Sequence, residues 1–252
     1  MASPLRLNQP SAREDAPAWL VVAWRNPETR GIQPVGLLSR DAGQYRFSYL
    51  DTSQELDGFR PFLGLPDLAR VYTSDRLFPI FRQRILDEKR PDFAKYLQML
   101  GLASGAPTMS VLGRSGGGRL GDSIFLVRVP DVAASGATRA VFFVHGVRHT
   151  PAAVELIDAL GVGDNLALKP EPTNHVNPRA VLVTTSNGAP IGWVPDLLAE
   201  YAQACLSVSP PTVTVVRVND SDAPPNLRLL LEVTGRVPAG YRPFPQVDVH
   251  PS

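Results

Sequence analysis

The sequence predicts an α+β chain that is mainly β. A small N-terminal β-sheet with two helices precedes an OB-like or SH3-like β-barrel with one or two helices. Three observations carry this reading. Short apolar or alternating runs recur along the chain, separated by Gly, Pro, Asn and Asp turn signals. Stripes of helical period occur in only a few places. A Gly/Ser/Pro-rich stretch, ASGAPTMSVLGRSGGGRLG over residues 103–121, divides the first group of elements from the second.

The elements follow in order. Residues 1–17 are polar and proline-containing and read as a disordered tail. Ala18 to Trp24 (AWLVVAW) is a buried strand. Pro34 to Ser39 and Gln44 to Tyr49 are two more, joined by the turn Arg40-Asp41-Ala42-Gly43. Tyr45, Phe47 and Tyr49 alternate, as a half-buried strand requires. A first helix, capped by Ser74 or Asp75 with Pro79 in its opening turn, lines up Phe78, Phe81 and Ile85. A second starts near Pro91, buries Phe93, Tyr96, Leu97 and Leu100, and ends at Gly101. This gives an N-terminal domain over 18–103, a flexible connection over 104–121, a barrel domain over 122–245 and a tail over 246–252. Gly116 to Gly118 suggest a phosphate loop, but neither lysine nor a hydroxyl residue follows them to open a helix, so a mobile loop is expected.

Barrel strands are expected near 124–129, 140–148, 165–169, 180–185, 190–194, 212–219 and 227–234. Helices fit 151–160 and 195–206; the second turns Leu197, Leu198, Tyr201 and Cys205 inward. Cys205 is the single cysteine, so it forms no intrachain disulfide and reads as a buried thiol.

Composition narrows the chemistry. Net charge is +1 overall. Residues 139–252 hold eight basic and ten acidic residues, a net of −2, which is no basic footprint of a non-specific nucleic-acid binder. No apolar run reaches membrane-spanning length, and the first fifteen residues have no signal-type apolar core, so a cytoplasmic protein without membrane contact is expected. Four histidines and one cysteine make no zinc set, and no cofactor motif is present. The expectation is a binding protein, not an enzyme, with neither metal nor cofactor.

Three motifs stand in fixed order in the second half. An apolar run ends in Gly146-Val147-Arg148-His149. Glu171-Pro172-Thr173-Asn174-His175-Val176-Asn177-Pro178 sits between two apolar runs. The Asn187-Gly188 turn leads into Ile191-Gly192-Trp193-Val194-Pro195. Over roughly residues 140–235 this order resembles the HIRAN domain, a small β-barrel that in some members grips a free single-stranded DNA end. The resemblance implies a nucleic-acid site made of Arg148, His149, Glu171, Asn174, Asn177 and Trp193.

The residues allow more than one role. The Arg148 guanidinium can fork onto a phosphate or stack on a base, or it can form an ion pair with Glu171 or Asp164. Asn177 is expected to close its turn, with Asn174 more open. Trp193 can stack a base or point into the core. The DNA-end-binding members carry tyrosine after the arginine, where this chain has His149 and Thr150. Base–aromatic stacking is worth ~1–3 kcal/mol per base, so weak binding to single-stranded or free-ended DNA is expected.

More faintly, GLLSRDAGQYRFSYL and LFPIFRQRIL within residues 36–102 resemble the N-terminal β-rich subdomain of HipA-type toxins. There it precedes a kinase-like body and helps contact an antitoxin. Here the chain turns to the barrel instead, so the resemblance implies a protein partner for the N-terminal domain and no kinase activity. A regulatory or toxin–antitoxin-type interaction module without nucleic-acid binding is the alternative.

Overall fold

The computed structural model describes residues 19–118, 123–150 and 152–244, so the expected tails 1–17 and 246–252 lie outside the described residues. It is a mixed α and β structure built on two antiparallel sheets.

The first sheet has strand order β4-β3-β2-β1-β5. Its strands are β1 (Trp19–Arg25), β2 (Ile32–Asp41), β3 (Gln44–Tyr49), β4 (Tyr72–Ser74) and β5 (Ile124–Arg128). The β2–β3 turn is the expected one. Ala42 (φ 45°) and Gly43 (φ 84°) both take positive φ, the twist that a two-residue hairpin needs. The alternation of β3 is also as expected: Tyr45, Phe47 and Tyr49 are buried, and Phe47 has no exposure at all.

Helix α1 (Pro79–Arg82) is a single turn. Ser74 accepts from the Arg76 N–H and does not cap it; Phe78 occupies that position. Helix α2 (Phe93–Met99) is followed by Gly101 at φ 67°, the left-handed stop expected there.

Two elements depart from the expectation. Residues 108–115, inside the expected flexible connection, form α3 (Thr108–Ser115), with Met109, Val111 and Leu112 buried. The helix ends at Gly116, φ 71°, whose carbonyl accepts from the Leu126 N–H. The triple glycine signals a loop, and it masks the short apolar stripe just before it. In addition, the strand expected to open the barrel, near 124–129, is β5 of the first sheet. It pairs with β1 from Leu20↔Arg128 to Trp24↔Ile124. An apolar run of four residues specifies a strand but not its partner.

The second sheet has order β10-β9-β8-β11-β12-β7-β6. It comprises β6 (Asp131–Val132), β7 (Ala137–Phe143), β8 (Asn165–Pro170), β9 (Val181–Thr184), β10 (Pro190–Trp193), β11 (Thr212–Val218) and β12 (Leu229–Arg236). No ladder between these strands closes it into a barrel. One bridge joins the end strand β10 to the chain just beyond β7, where His145 and Trp193 exchange two hydrogen bonds of 2.9 and 2.8 Å. The concave face carries Phe142, Val183, Ile191, Val215 and Leu231. Helices α4 (Ala153–Asp158) and α5 (Ala199–Val208) add Ile157, Tyr201 and Cys205 to this core. Burial pushes the Cys205 thiol up from its ordinary value, in line with an inert thiol.

The outer face of the second sheet is covered as well. Phe143 and Leu230 pack with Leu97 of α2, with Leu100 just after it and with Val111 of α3. Burying a leucine of this kind contributes about 1.5–3 kcal/mol. The two sheets are therefore joined through a shared apolar layer that includes α3.

Candidate nucleic-acid interface

The three sequence motifs converge at the place where the second sheet nearly closes. After β7 the chain passes His145 and turns at Gly146, which has φ 71°. A Cβ at Gly146 would lie 2.4 Å from the Trp193 ring, so both the backbone conformation and the close approach require glycine. The 3₁₀ turn Val147–His149 follows and packs against β10. It leaves Arg148 and His149 exposed, with Arg148 Nε donating to His149 Nε2 at 3.0 Å.

Trp193 ends β10. Its ring lies over Gly146 and is partly exposed, and it does not belong to the core cluster. Glu171 fixes the ring from the other side: its Oε2 accepts from Trp193 Nε1 at 2.7 Å and from Asn174 Nδ2 at 2.6 Å. The two donors, Asn174 before Trp193, hold the Glu171 carboxyl below its ordinary range.

The loop from Glu171 to Pro178 is closed by its own asparagines. Asn174 Oδ1 accepts from the N–H groups of Val176 (3.0 Å) and Asn177 (3.1 Å). Asn177 Oδ1 accepts from the Arg179 N–H at 2.9 Å, and its Nδ2 donates to Asp196 at 3.2 Å. Asn177 is the turn residue that the sequence suggests. Asn174, expected to be more open, is a turn residue too, because both ends of its amide are engaged within the loop. Glu171, Asn174 and Trp193 thus form one hydrogen-bonded unit, with Arg148 and His149 beyond the Gly146 side of the indole. Asn177 faces Asp196, at the start of the segment leading into α5. Sequence reasoning missed Asp196 and His145. The signal for Asp196 was its position directly after Pro195.

The arginines are dispersed. Among the described residues Arg148 makes no ion pair, and Asp164 accepts instead from the Gly161 N–H. Arg179 pairs with Glu200 of α5. Arg217 donates to Asn219 at 2.6 Å, and the buried Arg228 pairs with Asp158 of α4. Three of these four side chains are committed elsewhere, so together they do not build a basic groove around Trp193. No group of three or more His, Cys, Asp or Glu side chains among the described residues could hold a metal ion. No described helix is long and apolar enough to cross a membrane.

Residues 138–238 match the family model of the HIRAN domain. The HIRAN segment so defined contains every residue of the site. Comparison with solved structures finds a crystal structure of a protein from Lactobacillus plantarum, 21% identical, covering 40% of this chain and all of that one, with a TM-score of 0.32. It also finds the crystal structure of the HIRAN domain of human HLTF, 18% identical, covering 43% of this chain and 78% of that one, with a TM-score of 0.30. An NMR structure of the HLTF HIRAN domain is 15% identical, covers 41% and 82% respectively, and has a TM-score of 0.26. Comparison with curated proteins returned no match.

Proposed function

We propose that the HIRAN segment binds nucleic acid, as a single strand or at a free DNA end, in a non-catalytic role. The observation that carries this reading is the partly exposed Trp193 ring, held edge-on by the Glu171 carboxylate and from below by Gly146. A rigid, half-covered indole is a stacking platform, and sequence-tolerant single-strand binding rests on such platforms. Arg148 is the available cation beside it, suited to a terminal or first phosphate. Glu171 and Asn174 hold the platform in place and do not read bases. Binding is weak and shallow in its salt dependence. With two or three phosphate contacts, the slope of log affinity against log salt is roughly −2 on single strands.

The test is fluorescence anisotropy with labelled oligonucleotides bearing free or blocked ends, repeated for Arg148→Ala. The variant should lose affinity with an unchanged melting temperature. Absence of binding at low salt would remove the nucleic-acid reading.

The dispersal of Arg179, Arg217 and Arg228 supports a second reading, in which the chain is a protein-interaction module. Both readings give the N-terminal region the role of engaging a partner protein. Its exposed charges are mixed: Arg90, for instance, is bidentate with Asp92. Mixed charge suits a specific protein surface better than a phosphate backbone.

A further inference from the structure

A cleft of about 280 Å³ separates the two sheets. Phe125 and Arg128 of β5 form one wall, Val141 and Phe143 at the edge of β7 form the other, and Pro195 and Leu197 close one end.

That edge of β7 is incompletely paired. β7 runs antiparallel to β12 along its whole length. In such a ladder alternate residues direct both backbone groups to the neighbouring strand, and the residues between direct theirs away. The Val144 N–H donates to the Leu229 carbonyl, which fixes the phase: Ala140, Phe142 and Val144 face β12. Arg139, Val141, Phe143 and His145 face the other way. Arg139 meets Asp131 of β6, and His145 is bridged to Trp193. Val141 and Phe143 lie between these two points. Their N–H and C=O groups point toward the cleft and have no backbone partner among the described residues. Phe143 is buried and Val141 half-buried. Buried backbone groups are nearly always paired, so the gap is a place for a missing strand.

The cleft also has a charge preference. Among the described residues Arg25, Arg114 and Arg128 line it, against the carboxylate of Asp196 and the ring of His145. The Arg25 guanidinium stacks on Phe125 at 4.6 Å, and Arg128 reaches Asp131, outside the lining, at 3.6 Å. Phe125, Phe143 and Leu197 keep the walls apolar.

We infer that this cleft accepts an extended, acidic and apolar peptide of a partner protein, which pairs with the open edge of β7 at Val141 and Phe143. Addition of a strand to an exposed sheet edge is an established mode of peptide recognition: backbone bonds supply affinity and alternate side chains supply specificity. Val141 and Phe143 offer a donor and an acceptor each, repeated at about 7 Å along the strand. Another peptide backbone matches that repeat. A DNA backbone could meet the arginines but has no donor for the two carbonyls at that spacing.

The inference stands apart from the nucleic-acid reading, and one experiment separates them. Amide exchange of the full chain is followed by NMR with three probes: the peptide acetyl-Glu-Val-Glu-Val-Glu-amide, its Lys-for-Glu counterpart, and oligothymidylate. The acidic peptide should slow exchange at Val141 and Phe143 by roughly tenfold or more. Arg25→Gln should weaken it about 5- to 10-fold. Trp193→Ala should leave it unchanged while lowering oligothymidylate binding. No protection at millimolar acidic peptide, or equal protection by the lysine peptide, would overturn the inference. Protection at these two amides by oligothymidylate alone would assign the cleft to nucleic acid and overturn it equally.

Discussion

The two sheets use the same device, a polar side chain that ties down an irregular loop, in opposite surroundings. In the N-terminal region the tie is buried. The Tyr49 hydroxyl accepts from the Phe62 N–H at 2.6 Å and donates to the Leu65 carbonyl at 2.9 Å. Burial pushes this phenol up to about 12, so it stays neutral at any working pH. Around it Phe47, Phe62, Phe78 and Phe81 pack edge-on and tilted, with centroids 5.3–6.5 Å apart. In the HIRAN segment the tie lies at the surface. It is a carboxylate, Glu171, and what it fixes is a half-exposed indole. The first arrangement converts polar bonds into stability. The second keeps a large apolar ring outside the core, and such a ring repays its exposure only when something covers it.

The largest effect should come from the aromatic core. Phe47→Ala removes a fully buried ring and should cost about 3–5 kcal/mol in chemical denaturation. A loss below 1 kcal/mol would mean that the N-terminal core is not the stabilising centre. Next, Trp193→Ala should lower affinity for a single-stranded oligonucleotide roughly 10- to 100-fold, the equivalent of ~1–3 kcal/mol. Its effect on stability should be much smaller than that of Phe47→Ala. If the two substitutions destabilise equally, the indole is a core residue and the contrast disappears.

Tyr49→Phe leaves the Phe62 N–H and the Leu65 carbonyl unpaired inside the protein and should cost ~1–3 kcal/mol, independent of pH between 5 and 9 as a rough range. A thermal melt at the two ends of that range checks both points.

The smallest effect belongs to Glu171 and fades in acid. Its folded pKa lies below its unfolded value because Asn174 and Trp193 donate to the ionised form. The stabilisation is therefore complete above the unfolded carboxyl pKa of about 4.3 and is lost as pH falls through the lower folded value. Glu171→Gln should lower neutral stability slightly and flatten the acid limb of the melting temperature below about pH 4.3, where variant and parent converge. An unchanged acid limb would show that the Glu171 bonds do not persist in solution.

The sequence by itself determined the local chemistry. Alternation marked β3, paired positive-φ positions followed from Asp41-Ala42-Gly43, and Gly101 stopped α2, because each of these is set by neighbours within a few residues. The three HIRAN motifs were legible for a similar reason. They include turn residues, Gly146, Asn177 and Gly188, whose backbone demands follow from the residue type. Tertiary structure alone decided the pairings. β5 is a short, mostly apolar strand that fits either sheet, and it joined β1 because α3, hidden before three glycines, carries the chain back to that edge. Asn174 proved to be a loop anchor once Trp193 placed Glu171 within its reach. Arg148 was left without an ion pair among the described residues, while Arg179 and Arg228 found Glu200 and Asp158 on helices far along the chain. Whether an arginine is available to a ligand depends on which carboxylate folding brings beside it, and contacts across such sequence separations are set by packing, not by any local pattern.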